Sequence, residues 1–132
     1  MPRNENPIEK EGSLGHMVKV QQVIDFIVLS DLVNGETRYH SEMEQHLTNS
    51  LGRVGVNDAY FSQRLRALAE SGHVVREWKD NNRYNRFYRI TDSGEAYFKL
   101  LLRELPERVK LAQKVYGLFE SYIAKYSKMS LK

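Results

Sequence analysis

The sequence predicts a mainly α-helical (α+β) fold, a winged helix-turn-helix with a C-terminal dimerisation helix. Residues 57–71 have helical spacing and end at a glycine, and two segments rich in β-branched and aromatic residues follow around a polar turn. An apolar helical repeat then occupies the last thirty residues or so of the chain. We therefore expect a disordered tail over residues 1–17, a winged-helix domain over 18–105 and a dimerisation helix over 106–132.

Composition narrows the class of protein. Of the 132 residues, 41% are hydrophobic and 28% are charged, which suits a water-soluble domain with one core. No apolar run is long enough to span a membrane and no secretory signal is recognisable, so a cytoplasmic location is expected. The chain has no cysteine, which excludes disulfides and thiolate metal sites.

The first two helices are predicted from their apolar spacing. Residues 18–33 carry a broad apolar stripe, formed by Val20, Val23, Ile24, Ile27, Val28 and Leu32. A second helix over residues 39–49 would turn Met43 and Leu47 inward, with Thr37 as its N-cap.

The third helix is predicted to begin at Asn57 or Asp58 and to end before Gly72, because these residues suit helix caps. With Phe61, Leu65 and Leu68 facing the core, a rotation of about 100° per residue turns another set outward: Ala59, Tyr60, Gln63, Arg66 and Ala67. Such a helix followed by a hairpin would be the recognition helix of a winged-helix protein.

Residues 73–79 and 83–90 are predicted to be the strands of a hairpin, joined by a turn at residues 80–82. Phe87, Tyr88 and Ile90 are expected to pack within it, and Trp78 is expected in the core. The segment 73–90 carries a net charge of +3, equal to the surplus of the whole chain. A basic hairpin beside a helix indicates a polyanion as partner, although a solvated hairpin remains an alternative.

Double-stranded DNA is the polyanion that we predict. Gln63 can pair bidentately with adenine and Arg66 with guanine, and arginines near the hairpin tip can enter a minor groove. The predicted DNA-binding residues are Tyr39, His40, Ser41, Tyr60, Ser62, Gln63, Arg66, Lys79, Arg83, Tyr84, Asn85 and Arg86.

A further helix is predicted to start at residues 91–95, where a capping pattern occurs, and Pro106 is expected to start or kink the next segment. The apolar residues after Pro106 repeat with coiled-coil spacing. They need a partner, either the chain's own domain or a second subunit, and we favour a homodimer. Its predicted interface is Leu111, Val115, Leu118, Phe119, Tyr122, Ile123 and Tyr126.

Enzymatic activity is not expected, because no Ser–His–Asp arrangement, P-loop or dinucleotide-binding glycine motif is recognisable. His40 and Glu44 lie four residues apart, as do Glu42 and His46, but neither pair has a third ligand in the sequence. We therefore predict neither a metal nor a cofactor.

The hairpin exit, residues 86–94 (RFYRITDSG), resembles the basic–aromatic–aromatic–x–aliphatic–Thr–x–x–Gly signature of the PadR-like transcriptional regulators. Segments 26–32, 39–47 and 60–72 match that family's three helices, so the resemblance covers about residues 18–105. It implies a homodimer that binds operator DNA, usually as a repressor. The second helix starts with Tyr39-His40-Ser41 where the family usually has His-Gly-Tyr, and residues 51–56 lack its commoner Ser/Gly-rich connection.

Our hypothesis from the sequence is a dimeric, sequence-specific repressor of transcription. A winged helix that binds another protein and no operator DNA is the alternative. A ligand sensor is a third possibility, but no polar cluster in the sequence identifies an effector.

Overall fold

The computed structural model describes residues 18–34, 37–52, 57–78 and 86–130. Its elements follow the order of a winged helix: α1 Val20–Leu32, β1 Arg38–Tyr39, α2 His40–Ser50, α3 Asp58–Glu70, β2 Val74–Trp78, β3 Arg86–Ile90 and α4 Asp92–Ala124. The predicted fold class is confirmed. The predicted tail over residues 1–17 lies outside the described residues.

The sheet is antiparallel with the strand order β1-β3-β2. Val74 pairs with Ile90 and Trp78 with Arg86 in the hairpin, and Arg38 of β1 pairs with Tyr88 on the other side of β3. The sequence prediction missed β1 and placed Tyr39 in a helix. A strand of two residues has no periodicity of its own, and only its pairing with β3 defines it.

The core is formed by one face from each of the first three helices and by the hairpin. Met43, Leu47, Phe61, Leu65 and Leu68 are all buried, as predicted. The other buried members of this cluster are Ile24, Val28, Leu29, Leu32, Val74 and Tyr88. Because the core residues of α3 lie on one face, its opposite face is left for solvent.

Two predictions about burial were wrong. Trp78 is 47% exposed, because it ends an edge strand, and the Arg76 guanidinium lies 5.4 Å from its ring centre. Val20 is 55% exposed at the start of α1, whereas Leu29 and the carboxylate of Asp25 are buried. The buried face of α1 therefore begins later in the helix than predicted, at Ile24.

The helix ends follow capping chemistry with one correction. Asn57 caps α3, where its Oδ1 accepts a hydrogen bond from the Tyr60 amide at 2.8 Å. The N-cap of α2 is Tyr39 and not Thr37, since Tyr39 is extended and its amide donates to Glu42 Oε1 at 2.9 Å. Pairing of residues 38 and 39 with β3 delays the helix beyond the position that Thr37 could cap.

Helix α4 begins as predicted, with the Thr91 hydroxyl accepting a hydrogen bond from the Gly94 amide at 3.1 Å. Pro106 lies inside this helix and does not start a new one. Proline lacks one helical hydrogen bond and its ring crowds the carbonyl four residues earlier, but strong helix formers on both sides keep the helix continuous across it.

The chain divides into two compact units, and the described part of each is considered by itself. Val20–Arg103 contains the three helices, the sheet and the first turns of α4. Residues 104–130 contain the rest of α4 and the turns that follow it. Within the described residues, no helix is both long and apolar enough to cross a membrane.

Candidate nucleic-acid interface

Helix α3 presents a polar face opposite its core residues. Gln63 and Arg66 are exposed on it, and Ser62 lies one turn before Arg66 on the same side. Both exposed side chains end in planar groups that can form two parallel hydrogen bonds with a base edge. The predicted exposure of Gln63 and Arg66 is therefore confirmed.

The structure brings three predicted site residues from three elements together. His40 opens α2, and its Nε2 lies 3.3 Å from the Ser62 hydroxyl of α3. Arg86, the first residue of β3, is near enough that its charge acts on the imidazole. Imidazole, hydroxyl and guanidinium are all groups that bind phosphate oxygens. This cluster, His40–Ser62–Arg86, can position a nucleic-acid backbone beside α3.

Burial and then the positive charge of Arg86 lower the pKa of His40 below its ordinary value of 6.5, against an opposing effect of Asp58. The ring is half-buried and packs edge-on against Phe61, with 5.3 Å between ring centres. His40 is therefore neutral at pH 7 in the free protein. The cluster carries its positive charge on Arg86.

Two carboxylates lie close together at the junction of α2 and α3. Burial and then a hydrogen bond and charge repulsion from Asp58 raise the pKa of Glu44 above its ordinary value of 4.5. Sequence spacing does not reveal this pair, because the two residues are 14 positions apart on different helices. Its negative charge opposes a polyanion and so limits how close a phosphate can lie on that side of α3.

The other predicted contacts near α2 and α3 differ in accessibility. Ser41 is exposed, while Tyr39 is half-buried, with its ring 6.0 Å from that of Phe87. The prediction that Tyr60 points away from the core was wrong, because it is half-buried and packs against the core cluster. Tyr60 lies one turn before Arg64, at the edge of the buried face. Lys79, Arg83, Tyr84 and Asn85 lie outside the described residues.

Sequence reasoning missed a buried polar network. The Asp25 carboxylate of α1 accepts hydrogen bonds from Arg64 of α3 and from the hydroxyl of Tyr97 on α4. Hydrogen bonding to Asp25 raises the pKa of Arg64. Burial and then the charge of Asp25 raise the pKa of Tyr97. A charged residue within an apolar stripe was the available signal, since Asp25 is flanked by Ile24 and Phe26.

The predicted dimerisation surface is apolar and uncovered. Val115 is half-buried, and the other members are 40–64% exposed: Leu111, Leu118, Phe119, Tyr122, Ile123 and Tyr126. These side chains are therefore accessible to a partner.

The structure shows a different partner for one histidine of the two His–Glu pairs considered in the sequence. His46 Nδ1 lies 2.7 Å from a carboxylate oxygen of Asp31, on α1. In the part of the chain that the structure describes, no three His, Asp or Glu side chains are grouped as metal ligands would be.

Similarity to known proteins is found at the level of structure. No family model matches the sequence, and no curated protein is significantly similar to it. A transcriptional regulator from Clostridium thermocellum, Cth-833, superposes with a TM-score of 0.57 at 19% identity, over 83% of this chain and 97% of that one. NadR in complex with 4-hydroxyphenylacetate superposes with a TM-score of 0.50 at 17% identity, over 98% of this chain and 99% of its own. At these identities, the chain shares the fold of the two solved proteins.

Proposed function

We propose that this protein is a homodimeric, sequence-specific DNA-binding regulator of transcription that represses by occupying a promoter. The observation that carries the proposal is the exposed pair Gln63 and Arg66 on α3, flanked by the cluster His40–Ser62–Arg86. The pair offers base-reading groups, and the cluster offers groups that bind the backbone. Two solved proteins of the same fold support it, one of which is described as a transcriptional regulator.

A second subunit completes the proposal. Four residues of the dimerisation surface repeat with the four-three-four spacing of helices that pair along a seam: Val115, which is half-buried, and the exposed Phe119, Tyr122 and Tyr126. Pairing two copies about a two-fold axis would present two α3 helices to two related half-sites. The operator would then be an inverted repeat.

The resemblance to the PadR-like regulators supports repression as the outcome of binding. A clock gene is one proposed target, from a resemblance of the sequence to the cyanobacterial circadian period extender that the comparison with curated proteins does not support. We propose that a clock-gene promoter be tested for binding, in addition to duplexes selected from a random pool.

The proposal is tested by selecting duplexes from a random pool with the wild-type protein. Binding of the selected duplex and a scrambled duplex is then measured by fluorescence anisotropy at several salt concentrations. We expect an enriched sequence whose affinity falls steeply with salt, because phosphate contacts release counterions. Arg66→Ala should cost about 1–3 kcal/mol on the selected duplex if Arg66 binds a base, and much less on the scrambled one.

Lys99→Ala is the matched control, since Lys99 is an exposed cation on α4 outside the proposed interface. It should leave the preference for the selected duplex unchanged. No enrichment, with equal and feeble binding to every duplex, would refute the proposal and favour the protein-binding alternative.

A further inference from the structure

The buried network around Asp25 contains an ion pair, and a stable core does not require one. Asp25 is fully buried, and its Oδ1 accepts a hydrogen bond from Arg64 Nε at 3.0 Å while its Oδ2 accepts one from Arg64 Nη2 at 2.7 Å. The Tyr97 hydroxyl donates to the same Oδ2 at 2.8 Å. Removing a carboxylate and a guanidinium from water costs free energy. Proteins in which apolar residues of similar size replace such a buried ion pair are often equally stable.

What the ion pair adds is geometry. A guanidinium that donates two parallel hydrogen bonds to one carboxylate holds a fixed plane and direction, whereas apolar contacts tolerate rotation. Arg64 directly follows Gln63 and lies two residues before Arg66 on α3. For side chains about 6 Å from the helix axis, a rotation of about 20° displaces their tips by about 2 Å. That displacement is enough to break a hydrogen bond to a base edge.

A second set of contacts ties the end of α3 to α4. His73 follows α3, and its ring stacks on Tyr97 with 4.8 Å between ring centres. His73 Nδ1 also lies 2.7 Å from the Ser93 hydroxyl in the first turn of α4. Tyr97 therefore joins both the middle of α3, through Asp25 and Arg64, and its C-terminal end, through His73.

We propose that Asp25, Arg64 and Tyr97 are positioning residues that fix the rotation of α3, so that Gln63 and Arg66 meet the correct base edges. This inference rests on the proposed DNA-binding function. The network acts through these two side chains and does not itself contact DNA. It determines sequence discrimination, while the affinity from phosphate contacts is independent of it.

The test replaces the network by apolar residues of similar size, in the triple variant Asp25→Leu, Arg64→Met, Tyr97→Phe. We expect a folded protein with a melting temperature near or above that of the wild type. The ratio of affinities for the selected and scrambled duplexes should fall at least about tenfold. The slope of affinity against salt should stay unchanged, because the phosphate contacts are retained.

Arg64→Lys is the second variant, and it tests the positioning role if the triple variant does not fold. Lysine keeps the positive charge near Asp25 but loses the two-pronged geometry, so the ratio should again fall several-fold. Arg103→Lys, on the exposed surface of α4, is the matched control and should leave the ratio unchanged.

The outcomes separate the two proposals. If wild-type protein enriches no sequence, the proposed function fails. If wild-type protein discriminates and folded variants discriminate equally well, DNA binding stands and the positioning role is refuted.

Discussion

Two carboxylates of this protein occupy opposite electrostatic environments. Asp25 is fully buried but accepts three hydrogen bonds, two of them from a guanidinium. Glu44 is only half-buried but has another carboxylate, Asp58, as its neighbour. A fully buried charge with matched donors is thus compensated better than a partly exposed charge beside one of like sign.

Glu44→Gln is expected to stabilise the protein at pH 7, by up to about 1 kcal/mol because the site is partly exposed. A raised pKa in the folded state means that folding favours the neutral carboxyl. The penalty in the wild type is therefore complete above the raised pKa and disappears below the ordinary value of 4.5. Urea unfolding at pH 7 and near pH 4 should show a stability difference that closes as the pH falls.

Glu120→Gln is the control for this measurement, because Glu120 is exposed on α4. It should change the free energy of unfolding by less than about 0.5 kcal/mol at both pH values. A Glu44→Gln variant that is less stable than the wild type at pH 7 would contradict the repulsion between Glu44 and Asp58.

At the scale of elements, the junctions at the two ends of the hairpin depend on glycine for different reasons. Gly72 ends α3 with a φ of 79°, and the next amide, of His73, donates to the Leu68 carbonyl at 2.9 Å. Gly94, in the first turn of α4, lies directly against the backbone of His73. The first glycine supplies a left-handed conformation, and the second supplies space.

Gly94→Ala is expected to destabilise the protein by about 3 kcal/mol, because an added Cβ would overlap the His73 carbonyl and lie 2.7 Å from Ile90 Cγ1. Gly72→Ala should cost less, about 1–2 kcal/mol, since a Cβ there meets nothing within 4 Å and only the backbone is strained. Thermal or urea unfolding of both variants gives the order. Equal costs would contradict the close approach of α4 to residue 73.

At the scale of the whole molecule, an exposed apolar surface extends along the C-terminal half of α4 and the turn that follows it. The rings of Tyr122 and Tyr126 are in tilted contact, with 5.6 Å between ring centres, and the Lys125 ammonium lies 5.5 Å from the centre of the Tyr122 ring. These contacts join the last turn of α4 to the residues that directly follow it, and the aromatic surface remains about half exposed. Such a continuous patch is typical of an interface.

Phe119→Asp combined with Tyr122→Asp should shift the protein from twice the mass of one chain to the mass of one, as measured by light scattering after gel filtration. Two carboxylates placed in an apolar seam should weaken dimerisation by about 100-fold or more. Gln113→Asp with Ser121→Asp is the control, because helical rotation turns both residues away from the centre of the seam. A wild type with the mass of a single chain, or an unaffected double variant, would refute the proposed dimer.

Local sequence patterns determined the helices, the two strands of the hairpin and the inward faces of α2 and α3. Phe61, Leu65 and Leu68 follow each other at helical spacing, and Asn57 and Gly72 mark the ends of their helix, so α3 was predictable from its own residues. The exposed positions of Gln63 and Arg66 followed from the same rotation. These features depend on interactions within a few residues, which is why one segment suffices to predict them.

Only the tertiary structure decided what depends on contacts between distant segments. Strand β1 exists through its pairing with β3, and Trp78 is exposed because β2 lies at the edge of the sheet. Asp25 and Arg64 are 39 residues apart, and Asp25 and Tyr97 are 72 apart. No local pattern relates such residues, because their hydrogen bonds form only when packing brings three helices together. The sequence thus determined which face of α3 is presented, and the fold determined the network that holds it.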